Sequence, residues 1–147
     1  MFLNKLYSIL SPERIAGYIN EPDNSGRTTL LFALSIKYTP EQSKERAMNV
    51  ALIKSLLDQG ANATKQQPLL TPLLVASVYG YHELIPLIVS KGASIHEMDY
   101  KNNSPVWAYT IYYGHLEALK AFVKLGIDVR QPGIVTLALT CKCIRVI

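Results

Sequence analysis

Thr71-Pro72-Leu73-Leu74-Val75-Ala76, followed by Gly80 and then by Gly92-Ala93, decides the architecture of this 147-residue chain. The same pattern returns downstream at a nearly fixed interval. Ser104-Pro105-Val106 begins 33 positions after Thr71, Gly114 lies 34 after Gly80, and Gly126 lies 34 after Gly92. An earlier copy opens with Asp23-Asn24-Ser25-Gly26-Arg27-Thr28-Thr29-Leu30-Leu31-Phe32-Ala33 and closes with Gly60-Ala61. Thr136-Leu137-Ala138-Leu139 reads as part of a fourth. A fixed period of this size predicts stacked supersecondary units that offer an extended binding surface rather than a catalytic pocket.

The residue types suit two short helices per unit. Asp23 and Asp99 are placed to accept backbone bonds in a tight turn, and Gly26 permits positive φ there. Thr28, Thr71 and Ser104 suit the N-cap of a first helix, with Pro72 and Pro105 next at N1, where no amide hydrogen is needed. Gly80 and Gly114 turn the chain between helices. Apolar pairs one turn apart then mark the second helix: Leu52/Ile53 with Leu56/Leu57, Leu84/Ile85 with Ile88/Val89, and Leu119 with Phe122/Val123. Gly60, Gly92 and Gly126 end these helices at C′.

Together these positions resemble the ankyrin-repeat family over roughly residues 20–130. The resemblance implies an all-α solenoid of helix-turn-helix units with short turn or hairpin tips. We expect one domain: a helical cap at 1–22, repeats at 23–65, 66–98 and 99–132, and a partial fourth repeat or tail at 133–147. Departures from the family pattern are Gln66 at an Asp position, Tyr109 where a small Ala is usual, and Pro86 near the start of a helix. Tyr109 is expected to pack between repeats, Trp107 to be partly buried against the next turn, and Pro86 to bend its helix.

The first repeat is ten residues longer, since Thr28 and Thr71 lie 43 apart. The excess falls near 37–46, where Thr39-Pro40-Glu41-Gln42 reads as N-cap, Pro at N1 and a capping-box Gln. A helix from near Pro40 to Asp58 follows, its charged first turns being either a solvated extension or a prong that touches a partner. In the N-terminal cap, Leu3, Leu6, Ile9, Leu10 and Ile15 are expected to cover the open end of the first repeat. The C-terminal segments Ile134–Leu139 and Ile144–Ile147 are apolar where a terminal repeat needs a polar face. They suggest self-association, a further missing repeat, or a tail folded back on the third repeat.

Composition narrows the classes. Hydrophobic residues make up 49% and charged residues 18%, which excludes a disordered chain. Cys141 and Cys143, the only cysteines, cannot staple a fold, so a reducing, cytoplasmic setting is expected. No signal-peptide core or membrane span is evident. The net charge of +4 comes from scattered Lys and Arg without an aromatic-basic motif, so nucleic acid is not the expected partner. The histidines His82, His96 and His115 share no metal-ligand spacing with a carboxylate, Cys141-Lys142-Cys143 reads as two buried or tail thiols more than as part of a soft-metal site, and no nucleophile–base set can be assembled. No cofactor, metal or small-molecule substrate is expected, and the chain is read as non-catalytic. The resemblance gives His115, after Gly114, a structural role in bonding neighbouring turns.

In the ankyrin family partners dock on the concave side, built from turn tips and the free face of each first helix. By register this implies partner contacts at Arg27, Ile36, Leu70, Val78, Tyr79, Tyr100, Lys101, Asn103, Ile111, Tyr112 and Tyr113. Tyrosine combines large area, a polar tip and low rotamer entropy, the traits of interface hot spots. The expected function is an adaptor that binds another protein through this groove. The alternatives are the recognition arm of a larger effector, bacterial or viral, whose catalytic part is absent, and, less expected, a basic domain that binds nucleic acid or an anionic membrane.

Overall fold

The computed structural model describes residues 17–64, 70–99 and 101–130. The elements are α1 (Thr29–Leu34), a 3₁₀ turn (Pro40–Gln42) running into α2 (Ser43–Asp58), α3 (Pro72–Tyr79), α4 (Ile85–Ser90), β1 (Met98–Asp99), β2 (Ser104–Pro105), α5 (Ala108–Tyr112) and α6 (Leu116–Lys124). First helices stack in one row, α1 on α3 and α3 on α5. Second helices lie behind them, α2 against α1, α4 against α3 and α6 against both α4 and α5. The core is the layer between these rows, with Leu30, Leu34, Ile53, Leu73, Leu84, Ile85, Ile88 and Phe122 almost fully removed from water.

Local chemistry explains most boundaries. Asp23 Oδ1 accepts from the amides of Ser25 (2.8 Å) and Arg27 (2.9 Å), closing the first tip. Thr28 caps α1 by accepting from the Leu31 amide, and Thr71 caps α3 by accepting from Leu74. Pro72 opens α3 where its missing donor costs nothing. Each second helix ends with the same pair of bonds, seen for α2 as Ala61 N–H to Leu56 O (2.9 Å) and Gly60 N–H to Leu57 O (3.2 Å). This is a Schellman close, and it places an alanine or isoleucine in the core just past the glycine. Pro86 occupies the first turn of α4, where it starts the six-residue helix instead of bending it.

The third repeat departs from the expected register. Ser104 does not cap a helix, and Pro105 is not its first residue. Both belong to β2, which pairs antiparallel with β1 in the register Met98↔Pro105 and Asp99↔Ser104. The Val106 amide continues the ladder to Glu97 O at 2.9 Å. The backbone is therefore committed to a hairpin through Val106, and the helix starts later, at Ala108, through tight bonds from Tyr109 to Val106 and Thr110 to Trp107. Asn103 at the hairpin tip takes φ of 49°, a conformation Asn tolerates better than most residues. Trp107 is buried, deeper than the partial burial expected of it.

The long second helix forms as the sequence predicts, with the Thr39 amide bonded to Gln42 Oε1 at 3.0 Å. Its solvated part is short. Residues 40–45 are exposed, but Arg46 is held by Glu83 of the second repeat at 2.5 and 2.9 Å and lies over the Tyr81 ring at 5.3 Å. Partial burial is the largest single influence and works against ionisation of Glu83, but the Arg46 bonds and charge, with a backbone bond and His82, together outweigh it and hold the carboxyl below its ordinary range. Beneath this pair Tyr81 is buried, its hydroxyl donating to Ile36 O (2.8 Å) and accepting from Asn49 Nδ2 (3.1 Å). Burial raises the Tyr81 pKa and keeps the phenol neutral.

At the N-terminal end Ile19 joins the core, and Asn20 clamps the end of α2 through Gly60 O (3.1 Å) and the Asn62 amide (2.7 Å). The cap residues Leu3, Leu6, Ile9, Leu10 and Ile15, the turn around Gln66, and the tail from 131 onward lie outside the described residues.

Candidate functional site

A hairpin tip and a short helix meet at the surface of the third repeat. Between them lies a concavity of about 360 Å³ lined by Asn102, Ser104, Ala108, Tyr109, Tyr112 and Tyr113. The one-turn spacing of Tyr109 and Tyr113 brings their rings to 6.5 Å at an interplanar angle of 18°. Tyr112 meets Tyr113 edge to face at 4.9 Å. Tyr112 is 57% exposed and Tyr113 is 50% exposed. Ala108, small and buried, forms the floor.

The polar wall is a closed set of bonds. The Tyr109 hydroxyl donates to the Asp99 carboxylate, and Asn102 Nδ2 donates to Asp99 (2.8 Å) and to the Tyr109 oxygen (2.9 Å). The Lys101 amide adds a bond to Asp99 at 3.0 Å. Tyr109 therefore packs against the core with its ring but spends its hydroxyl on the hairpin, a role its position did not announce.

These bonds, the Tyr109 hydroxyl first, outweigh desolvation and hold the Asp99 carboxyl below its ordinary value of 3.8. A carboxyl with a depressed folded pKa lends stability that is present above 3.8 and fades as the pH falls toward the lower folded value. Tyr109→Phe removes the largest cause. We expect the urea midpoint of wild type to exceed that of the variant at neutral pH, with the gap narrowing below pH 3.8. Parallel midpoint curves over that acid range would mean that Asp99 is not held this way.

The predicted contact residues fare unevenly. Tyr79 is 37% exposed, and Leu70, Lys101 and Asn103 stand at the surface. Tyr79 does not line the concavity. Arg27 is half-buried, bonded to Asp23 and lying over the Phe32 ring at 5.6 Å. Ile36 is a correction: α1 ends at Leu34, so Ile36 sits in the following loop, half-buried, its carbonyl held by Tyr81. Ile111 is another, because the late start of α5 turns it inward and leaves it 4% exposed. Val78 is half-buried against the core, and Tyr100 lies outside the described residues.

His115 behaves as the resemblance implied. Its Nε2 meets Val78 O at 2.8 Å and ties the third repeat to the second. His82 lies beside Glu83 at 3.4 Å, and His96 is exposed on a loop. Cys141 and Cys143 lie outside the described residues. Among the described residues no group of three or more His, Cys, Asp or Glu stands together. No helix among them is long and apolar enough to cross a membrane.

Stacked helix pairs, glycine-closed second helices and a β-hairpin tip define a repeat solenoid. The family described as ankyrin repeats (three copies) matches residues 44–132, and the chain belongs to the ankyrin-repeat family. The match begins within α2. A comparison with curated proteins finds no match. Ankyrin repeats are generally protein–protein interaction modules and are typically non-catalytic.

Proposed function

We propose that this chain is an adaptor that binds a partner protein through the face formed by the hairpin tip and the first helices. The observation that carries the reading is the tyrosine cleft of the third repeat, where Tyr112 and Tyr113 each leave half or more of their surface in water. Large amphipathic rings held rigid around a concavity supply binding area at low entropic cost. Tyr79, one repeat back at the matching register position, and Lys101 at the hairpin tip are also exposed.

The experiment compares capture from cytosolic lysate by wild type and by Tyr112→Ala/Tyr113→Ala, with partners identified by mass spectrometry. Both residues are exposed, so the variant is expected to stay within about 1 kcal/mol of wild-type stability. At least one wild-type partner is expected to be lost, since a hot-spot tyrosine contributes about 2 kcal/mol or more. Equal capture by two equally folded proteins would place the docking face elsewhere on the chain.

A further inference from the structure

The bonds around the cleft decide what kind of group fits it. Asn102 spends its Nδ2 donors on Asp99 and Tyr109, and the Ser104 hydroxyl donates to Asn102 O at 3.2 Å. What Asn102 and Ser104 turn toward an incoming group is therefore acceptor: an amide oxygen and hydroxyl lone pairs. The remaining walls are three tyrosine rings, whose faces are the negative side of their quadrupoles. Behind Tyr109 stands the Asp99 carboxylate, which adds negative charge at short range. Among the described residues no Lys or Arg lines the cleft.

We propose that the cleft takes a single arginine side chain of the partner protein. A guanidinium offers five donors and no acceptor, is flat, and stacks on aromatic rings, so it suits both the acceptor atoms and the tyrosines that line the cleft. Lysine would satisfy the charge but not the planar contact. The net charge of +4 works against a wholly basic partner, so the arginine belongs to a neutral or acidic segment. This inference rests on the adaptor reading and gives that site its chemistry.

The probe is the capped peptide acetyl-Gly-Arg-Gly-amide, titrated into the full chain and followed by amide chemical shifts. Its control carries citrulline, which keeps the shape of arginine and loses the charge. Shifts are expected to centre on Asn102 to Tyr113, with the citrulline peptide at least about tenfold weaker. Tyr113→Phe keeps an aromatic face and is expected to bind within about threefold of wild type, whereas Tyr113→Leu loses the response. Equal binding of the citrulline peptide at the cleft would overturn arginine recognition and leave the docking face standing. An arginine peptide that perturbs nothing in the cleft would overturn it too. In that case loss of a lysate partner by Tyr112→Ala/Tyr113→Ala would preserve the cleft as the docking face, and unchanged capture would move that face elsewhere on the chain.

Discussion

Gly80→Ala lowers the unfolding free energy by about 2–3 kcal/mol, more than any surface substitution should. Gly80 has φ of +73°, a left-handed conformation that costs an L-residue about 1–2 kcal/mol. The added methyl has nowhere to go, because an ideal Cβ would sit 2.6 Å from Nδ1 of His115. His115 must then swing away and abandon its bond to Val78 O, for a further cost of about 1 kcal/mol. Urea unfolding of Gly80→Ala, His115→Ala and the double variant separates the terms. The double variant relieves the clash and keeps the backbone strain, so the two effects are expected to be non-additive. A loss under about 1 kcal/mol for Gly80→Ala would mean that the ring has room to move and the contact is not a constraint.

Phe122→Ala is the other large effect, at about 3–5 kcal/mol, since Phe122 is fully buried and its removal opens a cavity. In a solenoid each unit contacts only its neighbours, so the loss should be local before it is global. Hydrogen exchange is expected to quicken across α5 and α6 while the amides of α2 stay protected. Uniform acceleration along the chain would show instead that the stack unfolds as one cooperative body.

The parts of the fold legible in the sequence are those that rest on local chemistry. Thr28 and Thr71 as caps, Gly60, Gly92 and Gly126 as closing residues, and Thr39 to Gln42 as a helix start were each readable from neighbours a few positions away. The third repeat was misread because Ser104-Pro105 has two uses, a helix start or a strand. The choice is made by pairing with Met98-Asp99 across the hairpin, which no local pattern reveals. That one difference moved α5 along the chain and turned Ile111 inward, so it changed the predicted contact face as well as the fold. The Arg46–Glu83 pair and the Tyr81 hydroxyl were invisible for the same reason, since their partners lie 37 and 45 positions away. The exposure of Tyr112 and Tyr113 is legible in the register, because aromatics at the end of a first helix stand out there. The bonds of Asn102 were missed, because an Asn at a turn tip signals the turn and nothing more.

The Tyr81 hydroxyl, buried between Ile36 O and Asn49, also bears on how freely such a stack can be edited. Repeat proteins grow and shrink by duplication and excision of units that fit any neighbour. Here the second repeat carries a tyrosine whose hydroxyl is bonded to a carbonyl and an asparagine of the first repeat. Excise that neighbour, or set an ordinary unit in its place, and a phenol is stranded in the core at a penalty of about 1–3 kcal/mol. Replacing the first repeat alone is therefore expected to destabilise the second, whereas moving the two together keeps these bonds.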